Sequence, residues 1–87
     1  MKIKEGFMLK NIAGANVVVP VGSNTVSFKS VITLNESGAF LWKRLENETT
    51  PEDVIKAMLV EYDVDEATAK ADIDEFIELL KKADLLQ

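Results

Sequence analysis

Between Leu34 and Asn35 the chain changes its hydrophobic period, and this change restricts the fold more than any other feature of the sequence. Up to Leu34, apolar residues alternate loosely with polar ones and many are β-branched, a pattern suited to strands whose side chains point to two opposite faces. From Asn35 onward the apolar residues recur every three or four positions, as on a helix with one buried stripe. Strands come first and helices second, so the expected class is α+β. At 87 residues the chain reads as one domain, residues 1–87, burying roughly 60–65% of the surface its unfolded form exposes. Every apolar face should therefore be in use.

Within the first part, Phe7–Ile12 and Val17–Val21 read as the two arms of a hairpin, with Ala13-Gly14-Ala15-Asn16 between them where the chain must turn. Pro20 cannot donate to a ladder, so it marks a strand end or an edge. Gly22-Ser23-Asn24 is a loop by composition. Thr25–Leu34 then resumes with Val26, Phe28, Val31, Ile32 and Leu34, of which Ser30–Leu34 is expected to be the paired third strand.

Three helices follow. Asn35 is a good N-cap for a helix from Glu36 to about Leu45, with Gly38, Leu41, Trp42 and Leu45 on one face. A glycine inside a helix costs about 1 kcal/mol against alanine, so close packing is expected at Gly38. Thr50-Pro51-Glu52-Asp53 opens a second helix, whose stripe is Val54, Ile55, Met58, Leu59 and Tyr62. A third opens at Asp65, carries Ala69, Ile73, Phe76, Ile77 and Leu80, and ends near Ala83. The layout is βββααα, a three-stranded antiparallel sheet followed by three helices.

The sequence contains neither cysteine nor histidine. Disulfides and thiolate metal sites are thereby excluded, as are the commonest general base and the commonest metal ligand. No phosphate loop, dinucleotide fingerprint or nucleophile triad is present. The chain is therefore expected to be no enzyme and to have no catalytic residue, metal or cofactor. The carboxylates Asp72, Asp74, Glu75 and Glu78 read as a solvated acidic face rather than a cation site. Trp42 is in phase with Leu41 and Leu45 and is expected in the core, whereas Phe40 lies off that stripe.

The net charge of −5 is unevenly spread. Residues 1–34 carry four lysines against Glu5, for +3, while residues 35–87 carry six basic and fourteen acidic residues, for −8. Such a surface repels phosphate, so nucleic acid is not expected as a partner. With no signal peptide and no apolar run of membrane-spanning length, the expectation is a cytoplasmic protein without a membrane partner.

The stretch from Val31 to Trp42, Val-Ile-Thr-Leu-Asn-Glu-Ser-Gly-Ala-Phe-Leu-Trp, resembles the signature of the PqqD-like family. That signature is an apolar strand running into Leu-Asn-Glu and then a helix with an aliphatic-Trp pair. Thr50–Val54, Glu61–Asp65, Asp72–Phe76 and Asp84–Leu86 resemble the family's later helix starts, junction and last helix. The resemblance implies a winged-helix-like peptide recognition element, which binds the leader of a ribosomally made precursor peptide and presents its core to a modifying enzyme, often a radical SAM protein. In the pyrroloquinoline quinone pathway the family member acts as such a chaperone. The first 30 residues diverge from the pattern, so the pathway does not carry over.

The residues give the same mode a physical basis. An exposed sheet edge offers unpaired N–H and C=O groups, and a peptide that adds a strand satisfies them while alternate side chains enter a neighbouring cleft. With the third strand as that edge, Ser30, Val31, Ile32 and Thr33 line one wall and Ile73, Phe76, Ile77 and Leu80 the other. Val31 and Ile32 point to opposite faces, so only one side chain of the two enters the cleft. Carboxylates on the third helix favour a basic residue in the peptide and Lys29 an acidic one, and the sequence does not decide between them. One alternative is a structural docking subunit of a larger enzyme, or a homodimer, using the same edge. Another is a winged-helix DNA-binding regulator, for which the third helix has the wrong sign of charge: from Asp65 to Glu78 it carries Asp65, Glu66, Asp72, Asp74, Glu75 and Glu78 against Lys70.

Overall fold

Ala13 and Gly14 both take positive φ, 52° and 86°, the combination that closes a two-residue hairpin with the twist of its flanking strands. The Asn11 carboxamide oxygen accepts the Gly14 N–H at 3.2 Å and holds the turn. Strand β1 (Phe7–Ile12) therefore pairs with β2 (Ala15–Pro20) from Ile12↔Ala15 to Phe7↔Pro20. The turn is tighter than the expected Ala13–Asn16, because Ala13 accepts the left-handed conformation and leaves Ala15 and Asn16 free to pair. At the far end β2 stops at Pro20, and the Val21 N–H donates to the Gly6 carbonyl at 2.8 Å.

The computed structural model describes residues 1–22 and 32–87. The expected strand residues Ser30 and Val31 lie outside this set, as do Ser23, Asn24, Thr25, Val26, Phe28 and Lys29. Strand β3 (Ile32–Leu34) pairs antiparallel with β2 through Val18↔Ile32, Val17↔Thr33 and Asn16↔Leu34. The sheet order is β1-β2-β3, with β2 central. Paired residues share a face, so Val18, Ile32 and Leu34 look toward the helices while Val17 and Thr33 look away.

Helix α1 (Glu36–Leu45) begins as expected at Asn35, whose side chain accepts the Gly38 N–H at 2.8 Å. Helix α2 (Pro51–Glu61) is capped by Thr50 and carries Pro51 at its first position. Helix α3 (Glu66–Lys82) is capped by Asp65. Its 17 residues span roughly 26 Å at 1.5 Å each. The Asp65 carboxylate accepts the Thr68 N–H at 2.7 Å, and hydrogen bonds from Thr68 hold its pKa below the ordinary aspartate range. At the other end, Asp84 takes φ 57°. There the Leu85 N–H donates to the Leu80 carbonyl and the Asp84 N–H to the Lys81 carbonyl, which satisfies two of the helix's last carbonyls and folds Leu85 back onto Leu80.

The core gathers one face of each element. Trp42 is completely enclosed, with Leu45, Val54, Met58, Leu80 and Leu85 around the same centre. The sheet contributes Val18 and Leu34, and α3 contributes Ala69, Ile73, Phe76 and Leu80. Leu59 departs from the expected stripe: it is exposed, together with Val60. Helix α2 packs on α3 along Val54 and Met58, and a position one residue further is turned about 100° from that line. Ile3 and Leu85 complete the core. The first four residues run between the end of α1 and the last three, with the Ile3 N–H on the Leu45 carbonyl, Lys4 N–H on Leu85 and Gln87 N–H on Lys2. Among the described residues no helix is long and apolar enough to cross a membrane.

Candidate functional site

The exposed strand edge and the helices meet at the point where β3 passes into α1. On its other side from β2, β3 has no partner strand among the described residues. Backbone groups that an edge strand does not spend on its neighbour face outward and invite another strand. The chain then turns at Asn35, where the carboxamide oxygen takes both the Gly38 N–H and the Ser37 hydroxyl, at 2.8 and 3.0 Å. A side chain at Gly38 would bring its Cβ within 3.2 Å of both Leu34 Cβ and Asn35 Oδ1. The glycine anticipated as a close-packing position is what lets the first turn of α1 sit against the end of β3.

Beside this junction lies a cavity of about 190 Å³, open to solvent. Its α1 side is Asn35, Ser37, Gly38 and Leu41, and its α3 side is Asp72, Glu75 and Phe76. Leu41 and Phe76 are nearly enclosed and form an apolar floor, whereas Glu75 is exposed and Asp72 half-buried. Neither carboxylate forms an ion pair among the described residues. The chemistry on offer is an apolar seat with a negative rim, at the end of a strand paired on one side only among the described residues.

The residues expected to line a groove divide among four environments. Phe76 borders the cavity. Ile73 and Leu80 are buried in the core and do not line this cavity. Ile77 is half-buried on another flank of α3, where it lines a separate pocket with Met1, Pro51 and Leu86. Adjacent helical residues are about 100° apart, so Phe76 and Ile77 diverge. Ile32 is half-buried against the core and Thr33 exposed on the outer face of the sheet. Ser30 and Val31 lie outside the described residues.

The expectation did not include Asn35, Ser37, Leu41, Asp72 and Glu75 among the lining residues. The signal for them was the helical glycine, which marks a close approach at the start of α1, and the run Asp72, Glu75, Phe76, whose one-, three- and four-residue spacings keep it on one flank of α3. Asp74, grouped in sequence with Asp72 and Glu75, lies instead in the Ile77 pocket. The four carboxylates thus do not converge. Among the described residues no group of three or more potential ligands is placed to hold a metal ion. Trp42 is core, and Phe40 is half-buried, edge-on to Tyr62 with ring centroids 5.5 Å apart and with the Arg44 guanidinium 5.3 Å from its ring centre. Neither ring is a free platform for a base.

Comparison with known proteins agrees with this fold. The sequence model of a family described as coenzyme PQQ synthesis protein D (PqqD) matches residues 16–86. The solved structure of TbiB1 in complex with the TbiA(beta) leader peptide superposes with a TM-score of 0.77 at 26% identity, over 100% of this chain and 95% of that one. A lasso peptide synthetase B1, complexed with the leader peptide, has the same fold, with a TM-score of 0.75 at 21% identity over 97% and 93% of the two chains. No curated protein matches the sequence.

Proposed function

The chain belongs to the PqqD family, and on that premise we propose that it binds the leader segment of a ribosomally synthesised precursor peptide and presents the rest of that peptide to a modifying enzyme. The peptide pairs with the free side of β3 and extends the sheet by one strand. Backbone hydrogen bonds supply affinity independent of sequence, and the cavity beside β3 supplies sequence preference. Antiparallel addition is favoured because antiparallel ladders are somewhat more stable per residue. The modifying enzyme is of the radical SAM class in the reading that the family resemblance implies.

The observation that carries this reading is the juxtaposition of an edge strand, paired only with β2 among the described residues, with a cavity floored by Leu41 and Phe76. The 26% identity of TbiB1, solved with a leader peptide, supports it. Against the DNA-binding alternative stands the acidic surface of α3, which repels phosphate.

The test is an in vitro selection of linear peptides, displayed on their own messenger RNA, against the full chain. Recovery of peptides sharing apolar residues at alternate positions is the expected result. Their affinity should fall at least tenfold for Phe76→Ala, with circular dichroism reporting whether that variant is folded. A folded Phe76→Leu variant, which keeps an apolar floor of different shape, should shift the selected residue rather than abolish selection. A selection that recovers no peptide overturns the reading.

A further inference from the structure

We infer that the leader peptide carries a lysine or arginine at the cavity between α1 and α3, its stem lying on Phe76 and Leu41 and its charge held by Asp72 and Glu75. The inference rests on the strand-addition reading and specifies the occupant of that same site. The cavity, about 190 Å³ and open to solvent, is of a size for one side chain and not for a further structural element.

Its floor and rim ask for different things. Leu41 and Phe76 are 2% and 7% exposed and give a dry seat for methylene groups or a guanidinium plane. Asp72 and Glu75 stand above them on α3, unpaired among the described residues. A purely apolar occupant fills the floor but leaves two carboxylates with lost hydration. An acidic occupant meets two like charges. A long cationic side chain satisfies both layers, and its charge-assisted hydrogen bonds to the carboxylates are stronger than those of a neutral donor.

The opposing influence is the N-terminus of α1, whose partial positive charge, roughly half a unit, points toward the same space. Two full carboxylates outweigh it, and Glu36 in its first turn offsets it further. Two of the local donors are also committed, since the Ser37 hydroxyl and the Gly38 N–H both point to Asn35 Oδ1.

Position in the peptide follows from topology. The cavity adjoins Asn35, immediately after the last residue of β3. A strand antiparallel to β3 has its N-terminal end there. The basic residue should accordingly lie at the N-terminal side of the segment that pairs with Ile32–Leu34.

The experiment repeats the peptide selection on the full chain, on Asp72→Asn/Glu75→Gln and on Asp72→Lys/Glu75→Lys. The wild-type selection should enrich Lys or Arg several-fold at one position on the N-terminal side of the apolar pattern. The neutral variant should lose that enrichment, and the reversed variant should replace it by Asp or Glu. For a selected peptide, exchanging the basic residue for norleucine should weaken binding to the full chain about fivefold, the upper range for a solvent-accessible ion pair, and leave binding to the neutral variant unchanged. Peptides selected without a basic preference, or with one that persists in the neutral variant, overturn this inference while leaving strand addition standing. No selected peptide at all overturns both.

Discussion

Two flanks of α3 differ in what they face, although they differ by only one residue in sequence. Phe76, with Asp72 and Glu75, borders the cavity beside β3 and α1. Ile77, with Asp74 and Lys81, borders a larger pocket, about 610 Å³, beside the two ends of the chain. Both combine aliphatic surface with carboxylates, and by composition alone they are interchangeable. What separates them is the neighbouring backbone: the first lies at the end of β3, which has no second partner strand among the described residues, whereas the second adjoins residues 1–4 and 85–87, whose N–H and C=O groups pair with each other and with Leu45. A peptide that binds by adding a strand needs, besides an apolar pocket, backbone partners left over.

The hardest test of this division is to remove what holds α3 in place. Leu80→Ala empties a fully enclosed position whose carbonyl also receives the Leu85 N–H. A loss of about 3 kcal/mol is expected from the truncation, measurable as a lowered urea midpoint, with both flanks disrupted together. Phe76 and Ile77 should then part company. Ile77→Ala is expected to cost about 1 kcal/mol, since its side chain is only partly enclosed, and to leave peptide affinity within twofold. Equal loss of affinity from Phe76→Ala and Ile77→Ala, with both variants folded, would break the comparison.

Smaller effects sharpen it from the α1 side. Asn35→Ala removes the acceptor of the Gly38 N–H and the Ser37 hydroxyl and should lower stability by about 1 kcal/mol, the usual worth of an N-cap. It should also weaken peptide binding, because the same residue forms the cavity wall. The cap of α3 provides a control remote from this wall. The carboxylate of Asp65 is held below its ordinary pKa by its hydrogen bonds from Thr68. A folded-state pKa below the unfolded one means stabilisation that is fully present above the ordinary aspartate value and lost as pH falls through the lowered one. The stability difference between the wild type and Asp65→Ala, followed by urea unfolding, should accordingly be constant near neutrality and shrink only in the acid range. Peptide affinity at neutral pH should not change.

Much of the fold was legible because its signals are local. Asn35, Thr50 with Pro51, and Asp65 are start signals that act within one helical turn, and each caps the helix it was expected to cap. The β1–β2 turn was placed two residues too wide, since nothing in the sequence announces an alanine at positive φ. The packing of residues 1–4 against 85–87 was not legible at all. It joins the two ends of the chain through backbone hydrogen bonds, which carry no side-chain signature. Of the described residues expected to line a groove, Phe76 borders this cavity, and Gly38 packs closely, as a glycine inside a helix suggested. The sequence did not divide the acidic run of α3 into Asp72 and Glu75 on one pocket and Asp74 on the other, a distinction that depends on how the helix is rotated against α1.

Strand addition at β3 is most directly tested by isotope-filtered nuclear Overhauser spectroscopy on the ¹³C,¹⁵N-labelled chain bound to an unlabelled selected peptide. The expected result is cross-strand contacts between peptide backbone protons and those of Ile32, Thr33 and Leu34, with one peptide side chain reaching Phe76 and Leu41. Contacts confined to Ile77, Pro51 and Leu86, with none to β3, would contradict it.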